Sequence, residues 1–465
     1  MTSDQAAKAL IIGILALVSL FPVTKALRRA RAFGDWDLTS TAVFLTGLLA
    51  NVPSVAYVFR SGRTQRLDPV GEVEIGFPTW VNRLGTVTNG ILLVICVAFV
   101  VHRLLFARAR INTAPLVALF LAVLFALSDG LHGQQFLVPR QLVLLAALLL
   151  ATVARPGRSA FLGAAAVVLL FSVLGGVEAL VEPATVLREC RADNPCGLLG
   201  VHYAGVFSNE NIFAMMLVLG IPFLWLGLRG RVRTVLVGYV AVLAVATGST
   251  MATVAAVATV ALLVLLRPRL PDEPDVRTRP GRILITVPIL ATVAAVGLAL
   301  PFSHPSAERL GDRATIWDIA GQELRASPFI GFGGKTWSAK YPAGEIPAAV
   351  SPSLHNQWID VLYAGGIIGL ALFVILLVHL LARGGVPGFP AAAVVLLPVL
   401  LTSVIERPWS FGISNALTFA LIAAVLMPAA VRRAVPPAAP ECGSSPADVP
   451  AHRPGRRPAP TGPGR

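Results

Sequence analysis

The residues best suited to chemistry in this 465-residue chain crowd into one stretch. Between Ser303 and Asn356 lie Arg309, Asp312, Arg313, Trp317, Asp318, Glu323, Arg325, Lys335, Trp337, Lys340, Glu345 and His355. Arginine carries a permanent planar charge that grips oxyanions at two points. Histidine titrates near neutral pH and can take up or give back a proton. Three further polar segments could face this stretch. They are His202–Asn211 (His-Tyr-Ala-Gly-Val-Phe-Ser-Asn-Glu-Asn), the turn Gly248–Thr250, and Glu406–Trp409 (Glu-Arg-Pro-Trp). Arg188 and Arg191 precede the first of them.

What must position these groups is a membrane bundle. Hydrophobic residues make up 55% of the chain and charged residues 13%, about half the charged share of a soluble domain. Mean hydropathy is +0.75. A helix needs roughly 20 apolar residues to cross the hydrocarbon. Thirteen segments approach this, near 9–23, 38–59, 86–106, 112–128, 137–154, 160–181, 211–228, 234–247, 251–266, 283–302, 357–382, 386–405 and 414–430. The expected fold is an all-α polytopic bundle of about 12–13 transmembrane helices, with its membrane domain over 1–435. The first segment reads as an anchor, since no small-residue cleavage site and soluble sequence follow it.

Arginines flank every second loop, and basic loops stay in the cytoplasm. Sorted this way, one side carries 24 basic and 7 acidic residues, and the other 13 basic and 16 acidic. The net charge of +14 is therefore topological, and a nucleic-acid partner is not implied. The N-terminus falls outside and the C-terminus inside. The loops 182–210 and 303–356 then share the outer side with Glu406, and the 54 residues of the second far exceed an ordinary connection. Within it, Asp312–Ser327 reads as a short amphipathic helix with Ile316, Ile319, Ala320 and Leu324 on one face, ended by Pro328. Its apolar face could lie on the membrane or on the bundle. Ile330–Gly334 reads as a flexible turn that would let backbone approach a ligand closely.

Other features point away from chemistry. Asp35–Trp36–Asp37 looks like a metal-holding Asp-x-Asp but falls on the cytoplasmic side, and reads as a solvated loop. Cys190 and Cys196 share an outer loop, where a disulfide is permitted. Leu270–Gly281 reads as a linker, and 436–465 as a disordered cytoplasmic tail. Ionisable residues are nearly absent from the centres of the segments, which weighs against an ion-coupled transporter.

The polar elements together resemble the O-antigen ligase and polymerase family. Gly205–Asn211 resembles its Gly-x-Phe…Asn element, Arg313–Trp317 its Arg-x-x-x-Trp, and Ser327–Gly334 its Pro-x-x-Gly-x-Gly turn. His355–Asn356 followed by Gly365–Gly369 is similar to its His-Asn and Gly-Ile-x-Gly pair, and Thr247–Ser249 to its Thr-Gly-Ser hairpin. The order and spacing of these motifs, from about Gly200 to Trp409, carry the resemblance.

The resemblance implies a large external loop on a bundle of about a dozen spans, in the cytoplasmic membrane. It implies a glycan donor on undecaprenyl diphosphate, a glycan or lipid acceptor, inversion at the anomeric carbon, and no metal or other cofactor. On that reading Arg313 stabilises the departing diphosphate, with Arg309 second, and His355 takes the proton of the acceptor hydroxyl. Asn356 orients the histidine or holds the loop end. Asn211 lines the site at a helix start. Glu406 either orients the acceptor or pairs with Arg407. The family carries a further Arg upstream of Gly205, where this chain has His202; Arg191 and Arg188 are the nearest substitutes. Trp317, Trp337 and Trp409 are expected at the membrane interface. The rival reading is a transporter of a small anion or solute, and a third is a non-catalytic scaffold.

Overall fold

The computed structural model describes residues 3–61, 78–106, 111–189, 200–207, 209–270, 280–304, 312–340, 343–346 and 353–432. All of these belong to one compact unit, Met1–Ala434. The cysteines Cys190 and Cys196, most of the 270–281 linker, and the tail lie outside the described residues.

Each of the thirteen apolar segments forms a helix. They are α1 Ser3–Ala32, α2 Leu38–Ser61, α3 Thr79–Phe106, α4 Thr113–Leu131, α5 Pro139–Val153, α6 Arg158–Val181, α7 Glu210–Gly227, α8 Arg231–Ala246, α9 Thr250–Leu266 and α10 Pro280–Ala299. After the loop helix α11 Asp312–Glu323 come α12 Gln357–Ala382, α13 Gly385–Ser403 and α14 Thr418–Arg432. Among the described residues, nine are long and apolar enough to cross a membrane. The 15–17 residues of α5, α8, α9 and α14 rise only about 23–26 Å, short of the hydrocarbon thickness. The protein is an all-α, multi-pass membrane protein. Helices suit lipid because they satisfy their own backbone polar groups.

Small residues let the helices meet closely. Gly163 of α6 lies against the backbone of Ser40, and Gly227 of α7 against that of Phe161 and Leu162. α6 is mostly buried, whereas Val18 and Phe21 of α1 and Leu284 of α10 point outward, where lipid would lie.

Hydrogen bonds sort the helix ends into two sets. At one end, Arg158 donates to Leu226 and Leu228 carbonyls, Trp225 to Pro268, Arg282 to Leu265, and Asn112 to Ala151 and Ala154. Thr113 Oγ1 and His379 Nε2 are 2.7 Å apart there. At the other end, Asn356 donates to Gly297 and Val404, Tyr203 N to Thr247 O, and Ser414 N to Arg140 O. Successive antiparallel helices thus bring His202, Thr247, His355 and Glu406 to a single end of the bundle. The Arg-flanked loops gather at the opposite one.

Two readings need correction here. Asp35 is not in a solvated loop: its carboxylate takes two hydrogen bonds from Arg229, at 2.6 and 2.8 Å, and Asp37 caps α2 through Thr39 N and Ser40 N. The tryptophans are not interfacial. Trp317, Trp337 and Trp409 are 2%, 5% and 1% exposed, because each fills a protein core instead of the headgroup layer.

Candidate functional site

The loop between α10 and α12 has its own small core. Ile316, Trp317 and Ala320 of α11 pack with Trp337, Ile346, Leu354, Ile359 and Tyr363. The apolar face of α11 therefore lies on the bundle, with its helical turns ending at Ala326, before Pro328. Trp317 Nε1 donates to Leu354 O at 2.7 Å. At the far end of α11, Glu323 accepts from Tyr363 OH at 2.7 Å and from Lys340 Nζ at 2.6 Å. Arg313 and Trp317 are four residues apart and so share a helix face. The spacing Arg-x-x-x-Trp acquires a physical meaning: the tryptophan fastens the helix next to His355, and the arginine is presented one turn earlier.

His355 is held in the left-handed backbone region, φ 47°. That conformation costs a non-glycine residue about 1–3 kcal/mol and needs its surroundings to enforce it. Asn356 enforces it. It is fully buried, its Oδ1 accepts from Trp358 N (2.8 Å) and Ile359 N (3.0 Å), and its Nδ2 donates to Gly297 O (2.9 Å) and Val404 O (2.8 Å). It caps α12 and ties that cap to α10 and to the end of α13. The side chain thus holds the loop end.

Glu406 joins the two sequence-predicted catalytic residues. Arg313 Nη2 donates to Glu406 Oε1 at 3.3 Å, and His355 Nδ1 lies 3.1 Å from Glu406 Oε2. The carboxylate is 12% exposed, the guanidinium 30% and the imidazole 23%, so the trio opens to solvent on one side. A carboxylate only accepts, so Nδ1 carries the ring proton and Nε2 becomes the basic nitrogen. Arg313 Nε is buried and has no hydrogen-bond partner among the described residues. Arg407 is not the partner of Glu406; it donates to Asp360 Oδ1 at 2.7 Å. With Trp409 N donating to Gln357 Oε1 at 2.9 Å, this fixes the Glu-Arg-Pro-Trp segment onto the first turn of α12.

A second group stands at the same end of the bundle. The two-residue strands β1 Leu187–Arg188 and β2 His202–Tyr203 pair antiparallel, with Arg188 opposite His202. Arg188 Nη1 donates to Glu210 Oε2 at 3.0 Å. The residue capping α7 is Asn209, whose side chain accepts from Asn211 N; Asn211 is half-buried one position into the helix. Gly205 has φ 53°, and a Cβ there would strike the Phe213 ring. Ser249 caps α9, and Thr247 O receives Tyr203 N, so the Thr-Gly-Ser hairpin buttresses β2. Arg309 and Arg191 lie outside the described residues.

The glycine-rich turn serves a different purpose from the one expected. Phe332 N and Gly333 N donate to the carbonyls of Tyr363 and Ala364, while Ile367 N and Ile368 N donate to those of Pro328 and Phe329. These bonds splice the turn into a break in α12 at Gly366 (φ 61°, ψ −161°). The close approach is to the chain's own helix. Alongside it, fully buried Asp129 accepts from Lys335 N (2.9 Å) and Gln141 Nε2 (2.6 Å), and Ser128 Oγ donates to Gly331 O. Sequence reasoning missed Asp129 and Gln141, and gave Lys335 no partner. The available signal was an acid closing an otherwise apolar segment, and one of only four lysines directly following the glycines.

This arrangement pairs a fixed positive charge with an oriented imidazole, at one end of a bundle. Residues 206–374 match the O-antigen ligase family model. The match bears out the resemblance drawn from the motifs, and it supports a membrane enzyme that processes glycans. It spans Arg313, His355 and the glycine turn, while His202 and Glu406 fall outside it. No curated protein matches the chain.

Proposed function

We propose that this chain transfers or polymerises a glycan carried on undecaprenyl diphosphate, at the external face of the cytoplasmic membrane. The observation that carries the proposal is the meeting on Glu406 of Arg313 and His355, both of which lie inside the stretch similar to O-antigen ligases. The sidedness rests on the charge rule, since the site end of the bundle lies opposite the end flanked by Arg155, Arg158, Arg229, Arg231, Arg233 and Arg282.

In this reading the acceptor hydroxyl attacks the anomeric carbon of the donor sugar from the face opposite the diphosphate. The new carbon–oxygen bond forms as the bond to the diphosphate oxygen breaks, with inversion. Negative charge grows on the leaving group, where the Arg313 guanidinium stabilises it. The hydroxyl proton passes to His355 Nε2, and Glu406 on Nδ1 balances the imidazolium that forms. A permanent guanidinium supplies the charge stabilisation that this reading requires without a metal.

The test uses a strain deleted for the gene, complemented with wild type, Arg313→Ala or His355→Ala at matched membrane levels. Loss of surface glycan with build-up of lipid-linked glycan in both variants is expected. Short units would then mark a polymerase, and long unattached chains a ligase. Normal glycan from both variants would overturn the proposal and make solute uptake the next assay.

A further inference from the structure

We infer that Glu406 is a positioning residue that competes with the donor's diphosphate for Arg313, so that donor binding hands Glu406 over to His355. This rests on the transferase reading above and adds a coupling between its two halves. Three observations carry it. One carboxylate is shared, with Oε1 on Arg313 and Oε2 on His355. The Arg313 contact is long at 3.3 Å and engages a single guanidinium nitrogen, on a side chain that is still 30% exposed. And the carboxylate cannot drift away, because Arg407 and Trp409 beside it are tied to Asp360 and Gln357 of α12.

A diphosphate offers paired oxygens to the two terminal nitrogens, Nη1 and Nη2, together, the two-point grip that Glu406 does not make. As it takes Arg313, Oε1 is released and the carboxylate charge is left to the imidazole alone. Among the described residues, the charged groups facing His355 are then Glu406, from the segment after α13, and Arg313 of α11, now neutralised by ligand; Arg407, beside Glu406, is balanced by Asp360 of α12. The histidine is best supported as a proton acceptor only when a donor is seated. In the empty site, Glu406 also keeps the guanidinium from holding stray anions.

The probe is inorganic pyrophosphate, titrated by calorimetry into the full-length protein in nanodiscs. Glu406→Gln removes the competitor, so pyrophosphate should bind about tenfold tighter, while the maximal rate of glycan transfer falls. Glu406→Ala should tighten binding in the same direction. In an Arg313→Ala background, Glu406→Gln should leave pyrophosphate affinity unchanged, since the contested group is gone. Asp318→Asn deletes an equal charge on α11 that faces His304 and does not touch Arg313, and should not tighten binding. A merely structural glutamate would weaken binding and transfer together. Equal or weaker pyrophosphate binding by both Glu406 variants overturns the coupling and leaves the transferase reading standing. Equal tightening by Asp318→Asn overturns it too, as a net-charge effect. If wild type and Arg313→Ala bind pyrophosphate alike, both the coupling and the role of Arg313 fall.

Discussion

Replacing Asn356 by alanine should unfasten His355 without touching it. The side chain makes four hydrogen bonds, all to backbone. Losing a helix cap costs about 1 kcal/mol. The carbonyls of Gly297 and Val404 each lose a donor in a buried setting, and an unsatisfied buried group costs about 1–3 kcal/mol. Partial relaxation and some entry of water bring the sum to about 3 kcal/mol, near a hundredfold in a local equilibrium. The left-handed strain at His355 adds a push in the same direction. Hydrogen exchange by mass spectrometry, on peptides covering 353–362 in nanodiscs, should show about a hundredfold faster exchange for Asn356→Ala, with peptides in α6 unchanged. Transfer activity should fall with it. Asn356→Asp keeps the acceptor for Trp358 N and Ile359 N but turns a carboxylate oxygen toward two carbonyls, so it should be no better. The reasoning is refuted if Asn356→Ala exchanges like wild type, and equally if it stays protected yet loses activity, which would make Asn356 a substrate contact.

Other positions follow from the same contacts. Trp317→Phe keeps the ring packing but strands the Leu354 carbonyl, at about 1–3 kcal/mol, so transfer should drop several-fold in rate at unchanged pyrophosphate affinity; calorimetry beside a transfer assay checks this. Gly366→Ala forces a side chain into the Phe329 backbone at a positive φ, and the protein should accumulate poorly or melt lower by fluorescence-detected chromatography. Asp35→Asn weakens a two-point pair with Arg229 at the end of the bundle away from the site, so surface glycan should stay at wild-type level; glycan loss there would revive a metal role for Asp35–Trp36–Asp37.

The thirteen helices were legible because apolar length is a one-dimensional property of the chain, and the ends of α12 match the reading residue for residue. The pairing of Arg313 with His355 was visible only as two residue types at the borders of a long loop; Glu406, some fifty residues beyond His355, could be nominated but not joined to them. What decides its partner is the capture of Arg407 by Asp360, a contact between two elements that no spacing rule encodes. The tryptophans were misplaced for a similar reason. Composition says that a tryptophan beside a membrane segment suits the interface, but the loop between α10 and α12 folds a core of its own and consumes Trp317 and Trp337. The glycine turn showed that backbone must come close to something; that the something is the broken α12 depends on Gly366, thirty-three residues further on than Gly333.

The most direct test of the central claim is a single-turnover assay with purified protein in liposomes, supplied with a lipid-linked glycan and its acceptor, following release of the free lipid diphosphate. Wild type should release it in step with glycan transfer, His355→Ala should bind donor but release almost none, and Arg313→Ala should fail at both. Release by either variant at the wild-type rate would contradict the account.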